Sequence, residues 1–417
     1  MTLALFTNES SPSPGTDFWR HCLPLPSHAT GANGADQRAL HGTNPARAGE
    51  RNERLVLEAI LRAGESTRLQ LAEQTGLSPA AIANITQRLS DRGFVFEKGR
   101  RTGVRGMPAI RFAVNPDGCF SYGVNIDRDH VTFVALDLTG AVRARYTQEI
   151  DFAAPRTVTA FIGDAIATLS TEGLIERDRV LGMGVALPGG LGHVDLPGLP
   201  SAYAEWDSVD LPTLLAPLGT WPIIPENDAA AAAIGEARFG SGLTHRSFFY
   251  VLLSAGLGGG MVVAGNYHPG STGRAGRIGF LNDRCGAPLQ SVVSLLALKA
   301  DLAAHGIAPI APAKLASADA AAGAVIRNWI ERAAAALAGP IATISCLIDP
   351  GAIVIGGRLP VPLIDELAEA IERHRDAVDD PVVPAAPVLT AQLAADAPAV
   401  GAAILPFNDL VFLSAND

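Results

Sequence analysis

The sequence predicts an α/β protein in two parts: a winged helix-turn-helix over residues 47–117 and a two-lobed α/β body over residues 118–417. Three observations predict it. Between Glu50 and Val114, three short helix patterns run into two β-runs. From Gly118 onward, two blocks of three strands followed by helices succeed each other, as in a duplicated α/β unit. Charge is also segregated: residues 47–111 carry twelve bases and seven acids, while the residues after them carry eighteen bases and 32 acids.

Residues 1–46 are rich in Ser, Pro, Gly, Thr, His and Asn without apolar period, and are expected to form a disordered tail or to reflect an over-long start. Glu50–Ala63 has a helix pattern with Leu55, Val56, Ile60 and Leu61 on one side. Thr67–Thr75 reads as a second helix, with Leu69 and Leu71 apolar and Gly76 at its end. Ser78-Pro79 supplies an N-cap and a first-turn proline for a third helix reaching about Arg92. Ile82, Ile85 and Leu89 form its inner face, and Gly93 is its expected left-handed terminator. The β-runs Phe94–Glu97 and Ala109–Val114 then flank a basic, glycine-containing wing.

In the body, Tyr122–Ile126, Val131–Asp137 and Val142–Ile150 read as consecutive strands, followed by a helix at Val158–Ser170 and a buried strand at Val180–Ala186. A second block opens at Ser247–Leu253 and Gly260–Ala264. Ala-rich helices follow at Ser291–His305 and Ala318–Leu337, and then a strand at Ile353–Ile355. The two lobes are expected at about 118–240 plus a C-terminal helix in 395–417, and at 241–394.

Composition narrows the function. Charged residues are 18% against a usual share of about 25%, so the chain can build large cores. The net charge of −10, taken whole, speaks against a nucleic-acid binder. Partitioned, it hides a basic module of 65 residues with an excess of five positive charges. The four cysteines (Cys22, Cys119, Cys285, Cys346) form no CxxC pair, which excludes a disulfide framework or zinc ribbon and fits a reducing cytosol. The N-terminus lacks a signal-peptide pattern. The best membrane-span candidate, Ala333–Ile348, is expected to be broken by Gly339-Pro340. Abundant Ala, Gly and Pro with only three lysines suggests the coding bias of a GC-rich genome.

In a helix-turn-helix the second helix of the pair enters the major groove. Here its outward face offers Ala81, Asn84, Gln87 and Arg88. Asn and Gln suit adenine edges, Arg suits guanine or phosphate, and Ala suits a thymine methyl. The wing carries Lys98, Arg100, Arg101 and Arg105 within eight residues, spaced by glycines, which suits phosphate or minor-groove contact. Arg68 and Ser78, at the starts of the second and third helices, complete the expected DNA-facing set.

These motifs resemble the ROK family (repressors, open reading frames and sugar kinases), in its repressor branch. The run Leu69-Gln-Leu-Ala-Glu-Gln-Thr-Gly-Leu-Ser-Pro-Ala-Ala-Ile82 is similar to the family's helix-turn-helix, and Gly106-Met107-Pro108 stands where such repressors show Gly-Arg-Pro. Leu181 to Gly190 is similar to its strand-to-Pro-Gly turn, Glu226-Asn227-Asp228-Ala229 to its sugar-binding segment, and Ala275 to Phe280 to its AGEIGH motif. Asp349-Pro350 to Gly356-Gly357 and Asp396 to Ala403 match its nucleotide-side strand and closing helix. The resemblance implies a two-lobed, actin-like/hexokinase-type ATPase fold for the body.

The departures bear on function. A kinase of this family needs a DxGxT phosphate loop; here the segment is Asn125-Ile126-Asp127-Arg128-Asp129, with a carboxylate that would repel phosphate. The second loop, GTGxG in kinases, is Ser254-Ala255-Gly256-Leu257-Gly258. The family's zinc ligands, a histidine and three cysteines, reduce to Phe280 and Cys285, too few for a tetrahedral site. Among effector-contacting positions, Gly189, Gly190, Asn227 and Asp228 remain, while Arg277, Phe280 and Gln290 replace the family's glutamate, histidine and second glutamate.

Arg277 favours an acidic or phosphorylated sugar-like effector; the alternative is a vestigial pocket in which Arg277 pairs with Asp228 or Asp283. The expected protein is thus a cytoplasmic transcriptional regulator, a repressor of carbohydrate-related genes. It would bind a double-stranded DNA operator as a homodimer or tetramer, without catalytic residues, metal or cofactor. The alternatives are an ATP-dependent sugar kinase, for which Asp228 would be the base, and a structural scaffold.

Overall fold

The computed structural model describes residues 45–100, 109–191, 201–283, 286–376 and 386–412. The first helix, α1 (Pro45–Ala63), begins five residues earlier than the periodicity indicates. Val56, Leu57 and Ile60 are its buried apolar residues, and Glu58 is buried with them; Leu55 and Leu61 are only half-buried. The rest of the expected tail lies outside the described residues.

Ser66–Thr67 forms a short strand, β1, and Thr67 also caps α2 (Arg68–Thr75). The Thr67 hydroxyl accepts from the Gln70 amide while the Gln70 side chain accepts from the Thr67 amide, a reciprocal capping box. Gly76, at φ 69°, ends the helix. α3 (Pro79–Asp91) starts on the Ser78 cap and buries Ile82, Ile85 and Leu89. β2 (Val95–Arg100) pairs antiparallel with β3 (Ile110–Val114), and β1 adds to the other edge of β3. The sheet therefore has three strands in the order β1-β3-β2, where the sequence indicated two. A two-residue strand is too short for period-two patterning to reveal.

The body contains two five-stranded sheets of identical order. In the first, β4 (Phe120–Ile126), β5 (His130–Asp137) and β6 (Val142–Glu149) run antiparallel. Helix α4 (Pro155–Thr171) leads to β7 (Val180–Leu187), and the short α5 (Leu211–Leu215) leads to β8 (Ile223–Asn227). Both later strands join in parallel, giving β6-β5-β4-β7-β8. After α6 (Asp228–Phe239), the second sheet repeats the scheme with β9 (Phe248–Leu253), β10 (Leu257–Val263) and β11 (Asn266–Tyr267). Helices α7 (Leu295–Ala304) and α8 (Ala320–Ile348), β12 (Ile353–Gly357), α9 (Val361–Asp376) and β13 (Val388–Thr390) complete the order β11-β10-β9-β12-β13. Each block is thus three antiparallel strands followed by two parallel ones, the structural signature of duplication.

The helix after each fifth strand crosses to the other lobe. α6 packs on β9 and β10, whereas α10 (Ala397–Leu410) packs on β4 and β7, and the two helices lie against each other. They meet backbone to backbone. A Cβ on Gly401 would sit 1.6 Å from the Ala231 carbonyl oxygen, and one on Gly184 1.9 Å from that of Ala402. Gly258 and Gly260 make way for the Ala229 and Ala233 methyls. Here the small residues are a packing requirement, not only coding bias.

α8 corrects another expectation, because it runs unbroken through Gly339-Pro340. A proline there removes one helix hydrogen bond and crowds the preceding turn. Burial of Trp329, Ala333, Leu337, Ile341 and Ile344 in the second lobe's core holds the helix on both sides of it. Among the described residues α8 alone is long and apolar enough to cross a membrane, yet that core is where its apolar face goes.

The head shares its core with the body: Val56, Leu57, Ile60, Leu89 and Phe94 cluster with Val134 and Leu136 of β5 and with Val400, Phe407 and Phe412 at the C-terminal end. Gly401→Ala is expected to lower the unfolding free energy by about 3 kcal/mol through overpacking, measurable by urea denaturation; an unchanged midpoint would refute the tight α6–α10 contact.

Candidate functional site

The outer face of α3 carries Ser78, Asn84, Gln87 and Arg88, all exposed, and the half-buried Ala81. Their commitments differ. The Ser78 hydroxyl accepts from the Ala81 amide, and Gln87 donates to Asp91 at 2.8 Å. Arg88 pairs with Glu53 of α1 at 2.6 Å while remaining 52% exposed, and Arg92 takes the other oxygen of Glu53. Such an exposed pair is worth about 0.2–1 kcal/mol, a small cost for a guanidinium that leaves it for a phosphate or base. Among the described residues the Asn84 side chain forms no hydrogen bond within the protein.

Arg68 is placed differently from the rest of the set. Its Nε donates to the Thr86 hydroxyl at 3.0 Å and its guanidinium lies 5.0 Å from the Phe112 ring centre, so it ties α2 to α3 and β3. Arg101, Arg105 and the Arg100 side chain lie outside the described residues.

The second set gathers where β8 meets α6. Asn227 caps α6, its Oδ1 accepting from the Ala229 and Ala230 amides, and its Nδ2 donates to Asp228. Asp228 is buried, and its carboxyl is pushed up to about 7, first by burial and then by the neighbouring Asp127, with Arg128 working against the rise. Across the cleft, the Arg277 guanidinium lies 3.6 Å from the point where a Cβ on Gly189 would stand. Gly190 follows at φ 68°, a left-handed turn. Among the described residues Arg277 forms no salt bridge, so it pairs with neither Asp228 nor Asp283. Phe280 is 66% exposed, and Gln290 is half-buried behind Gly279.

Two arginines that the sequence did not assign to the cleft reach into it. Arg128 reaches over from the β4–β5 turn until its Nη1 is 3.3 Å from the Cβ position of Gly256, in the second loop. Its Nε is buried without a partner, as is the hydroxyl of Tyr203, whose titration it influences. Arg358, just after β12, pairs with Asp129 at 2.9 Å and with Glu149, bridging the two lobes. Asp129 also bonds His130 Nδ1 at 2.7 Å, and His130 Nε2 meets Asn125. Burial would raise the Asp129 carboxyl, but His130 and Arg358 outweigh it and hold it below the ordinary aspartate value. The signal for Arg128 was its place between two aspartates in the first loop; for Arg358, only the fold reveals the partner.

Asp127, Asp129 and His130 are close enough to hold a metal ion. They do not fit one. Both Asp129 oxygens and both His130 nitrogens are already engaged, and Arg358 brings a positive charge to the same point. Cys119 is buried and Cys346 exposed, far apart in sequence; Cys285 lies outside the described residues. A cavity of about 240 Å³ opens between Glu149–Asp151 of the first lobe and Leu295, Lys299, Ile310 and Pro312 of the second; none of the expected effector residues lines it.

A winged helix on a duplicated two-lobed body with degenerate phosphate loops defines a DNA-binding-type head fused to a sugar-kinase-like domain. Residues 121–408 match the model described as ROK family, and residues 50–95 match one described as winged helix-turn-helix DNA-binding. The chain belongs to the ROK family. Uncharacterized protein y4fQ of Sinorhizobium fredii is 30% identical over 371 residues, 87% of this chain and 92% of that protein. The xylose repressor of Bacillus subtilis is 25% identical over 230 residues, 55% of this chain and 60% of the repressor, less than two thirds of its length. A crystal structure of a ROK family transcriptional regulator, homolog of E. coli MLC protein, superposes with a TM-score of 0.64 at 23% identity, over 87% of this chain and 98% of that one. At that identity the likeness establishes the fold.

The raised Asp228 carboxyl has a consequence for stability. Its folded value lies above the unfolded one, so its contribution is full below about pH 4 and is lost as pH rises through 7. Asp228→Asn should therefore stabilise the protein at pH 8 by up to about 4 kcal/mol and make no difference near pH 4. Urea unfolding across that range reads it; an equal effect at both ends would contradict the assignment.

Proposed function

We propose that the protein is a transcriptional regulator, a repressor of carbohydrate-related genes, whose head binds operator DNA and whose body has turned from catalysis to effector sensing. One observation carries this most directly: an exposed row of base-reading side chains (Asn84, Gln87, Arg88) on a well-capped helix within the basic head. Support also comes from relatives named as xylose repressors. As a symmetric dimer or tetramer in the cytoplasm it would read a roughly palindromic site.

The body is proposed to be non-catalytic. One observation favours the kinase reading, since a carboxyl near 7 suits a general base. The donor side argues against it. Asn125 and Asp127 spoil the first phosphate loop, Ala255 removes the threonine of the second, and Arg128 stands over Gly256 where that loop would need to face phosphate. No phosphate transfer from ATP is expected across a panel of hexoses and hexosamines; turnover would establish the kinase.

For the effector, Arg277 and Arg128 are two guanidiniums without salt-bridge partners among the described residues, one beside Gly189 and one beside Gly256. They favour a sugar acid or sugar phosphate over a neutral sugar. Calorimetric titration with all three classes should give binding only for the anionic ones; tight binding of a neutral hexose would reverse the assignment.

The DNA claim is tested by selecting bound fragments from a random pool and footprinting them. Affinity should fall about 10³–10⁵-fold between 50 and 200 mM salt if about 6–10 phosphates are contacted. Asn84→Ala should cost about 1–3 kcal/mol and relax discrimination at one base pair. No enriched sequence, or no salt dependence, would exclude the reading.

A further inference from the structure

We propose that helix α6 is the connecting rod between the effector cleft and the DNA-reading head, with Arg238 and Glu58 as its coupling joint. The inference rests on the functional reading above for what the two ends do, but its geometry is independent of that reading.

α6 starts in the cleft and ends at the head. Its N-terminal turn is Asn227-Asp228, two of the effector positions. Ten residues on, about 15 Å along the helix axis, Arg238 grips Glu58 of α1. The Arg238 Nη1 donates to Glu58 Oε1 and its Nη2 to Oε2, each at 2.7 Å, the planar two-point geometry that fixes orientation as well as distance. Glu58 is 4% exposed, so a charge buried in the head depends on a side chain from the body. Arg62 gives Glu58 a further bond from within α1, and the Arg238 guanidinium stacks 4.1 Å from the Phe412 ring centre. Burial would raise the Glu58 carboxyl, but the two arginines overcome it and hold it below its ordinary value.

A rod must also be stiff and confined. α6 is enclosed on two sides without slack. On one side Gly235 and Gly401 bring its backbone against α10; on the other its Ala229 and Ala233 methyls fill the spaces left by Gly258 and Gly260. Near its C-terminus the fully buried Glu236 accepts from the Ser241 and Leu393 amides. A close-packed helix of this kind shifts as a body between discrete positions and does not bend. Displacement at Asp228 is therefore delivered to α1, and α1 holds Arg88 of α3 and Arg92 at its C-terminal end through Glu53.

The test is a double-mutant cycle on the full chain, read by amide hydrogen exchange at pH 8. The perturbation at the cleft end is Asp228→Asn; the break at the head end is Arg238→Ala. Exchange of α1 is normalised to that of α4, which cancels changes in overall stability. Asp228→Asn should alter the α1-to-α4 ratio by about threefold or more, as for residues coupled through one packed unit, and should leave it unchanged in the Arg238→Ala background. No effect in the otherwise unaltered chain, or the same effect in both backgrounds, would overturn the proposal. Should Arg238→Ala unfold the chain by stranding Glu58, the pair Glu58→Gln with Arg238→Ala removes the stranded charge and serves in its place. The cycle needs neither DNA nor effector. Failure to select any DNA would sink the regulatory reading alone, and loss of coupling with DNA binding intact would sink the rod alone.

Discussion

The contact on which the rest of the structure depends is the backbone-to-backbone approach of α6 and α10 at Gly235 and Gly401. Each helix belongs in sequence to one lobe and packs on the sheet of the other. A single methyl group at Gly401 would drive them apart. Because α10 runs on to Phe407 and Phe412, which share a core with Val56, Leu57 and Ile60, the same contact fixes where the head sits. Sheet order, lobe relation and head placement therefore follow from one crossing of two small-residue helices. Dispersion and area burial at such a crossing are lost quickly with distance, and this makes the glycines a condition of the fold.

The cleft is built on a regular frame with an unusual set of charges placed around it. The strand order and the Asn227 cap set that frame, and the charges lie around it. Arg128 enters from the first lobe toward Gly256, and Arg358 enters from the second toward Asp129 and Glu149. Of the acids that remain, Asp127 accepts from the Arg128 backbone amide, and Asp129 pairs with Arg358 and His130. Arg358 is only 10% exposed at its side chain, so its bridge between lobes is screened little by solvent and adds to their fixed relation. Asp228, left buried beside Asp127, has its carboxyl raised to about 7, and in its protonated form it can donate as well as accept a hydrogen bond.

Much of this was legible in the sequence because it is local. Ser78-Pro79, Gly76 and Gly93 mark helix ends through single-residue chemistry, and Ile82, Ile85 and Leu89 mark a buried face through spacing. The charge partition separates head from body by arithmetic alone. What stayed hidden is what depends on distant partners. Pro340 should end a helix, and only the core on both sides of it explains why α8 continues. Leu57 and Glu58 gave no periodic signal for the interface with α6 and α10 that they enter. For Arg68, expected in the DNA-facing set, the contacts to Thr86 and Phe112 join residues 18 and 44 positions away and gave no local signal. Arg277 was open between pairing inside and facing a ligand, and the folded chain leaves it unpaired among the described residues.

The central claim is that head and body form one mechanical unit through α6, α10 and their shared core. Native-state hydrogen exchange as a function of denaturant tests it most directly, since it resolves the opening of separate cooperative units. The account predicts that the most protected amides of α1, α6 and α10 open together, with one free energy and one denaturant slope. Opening of α1 at distinctly lower free energy, with α6 and α10 still closed, would mean that the head is only tethered to the body and would contradict the account.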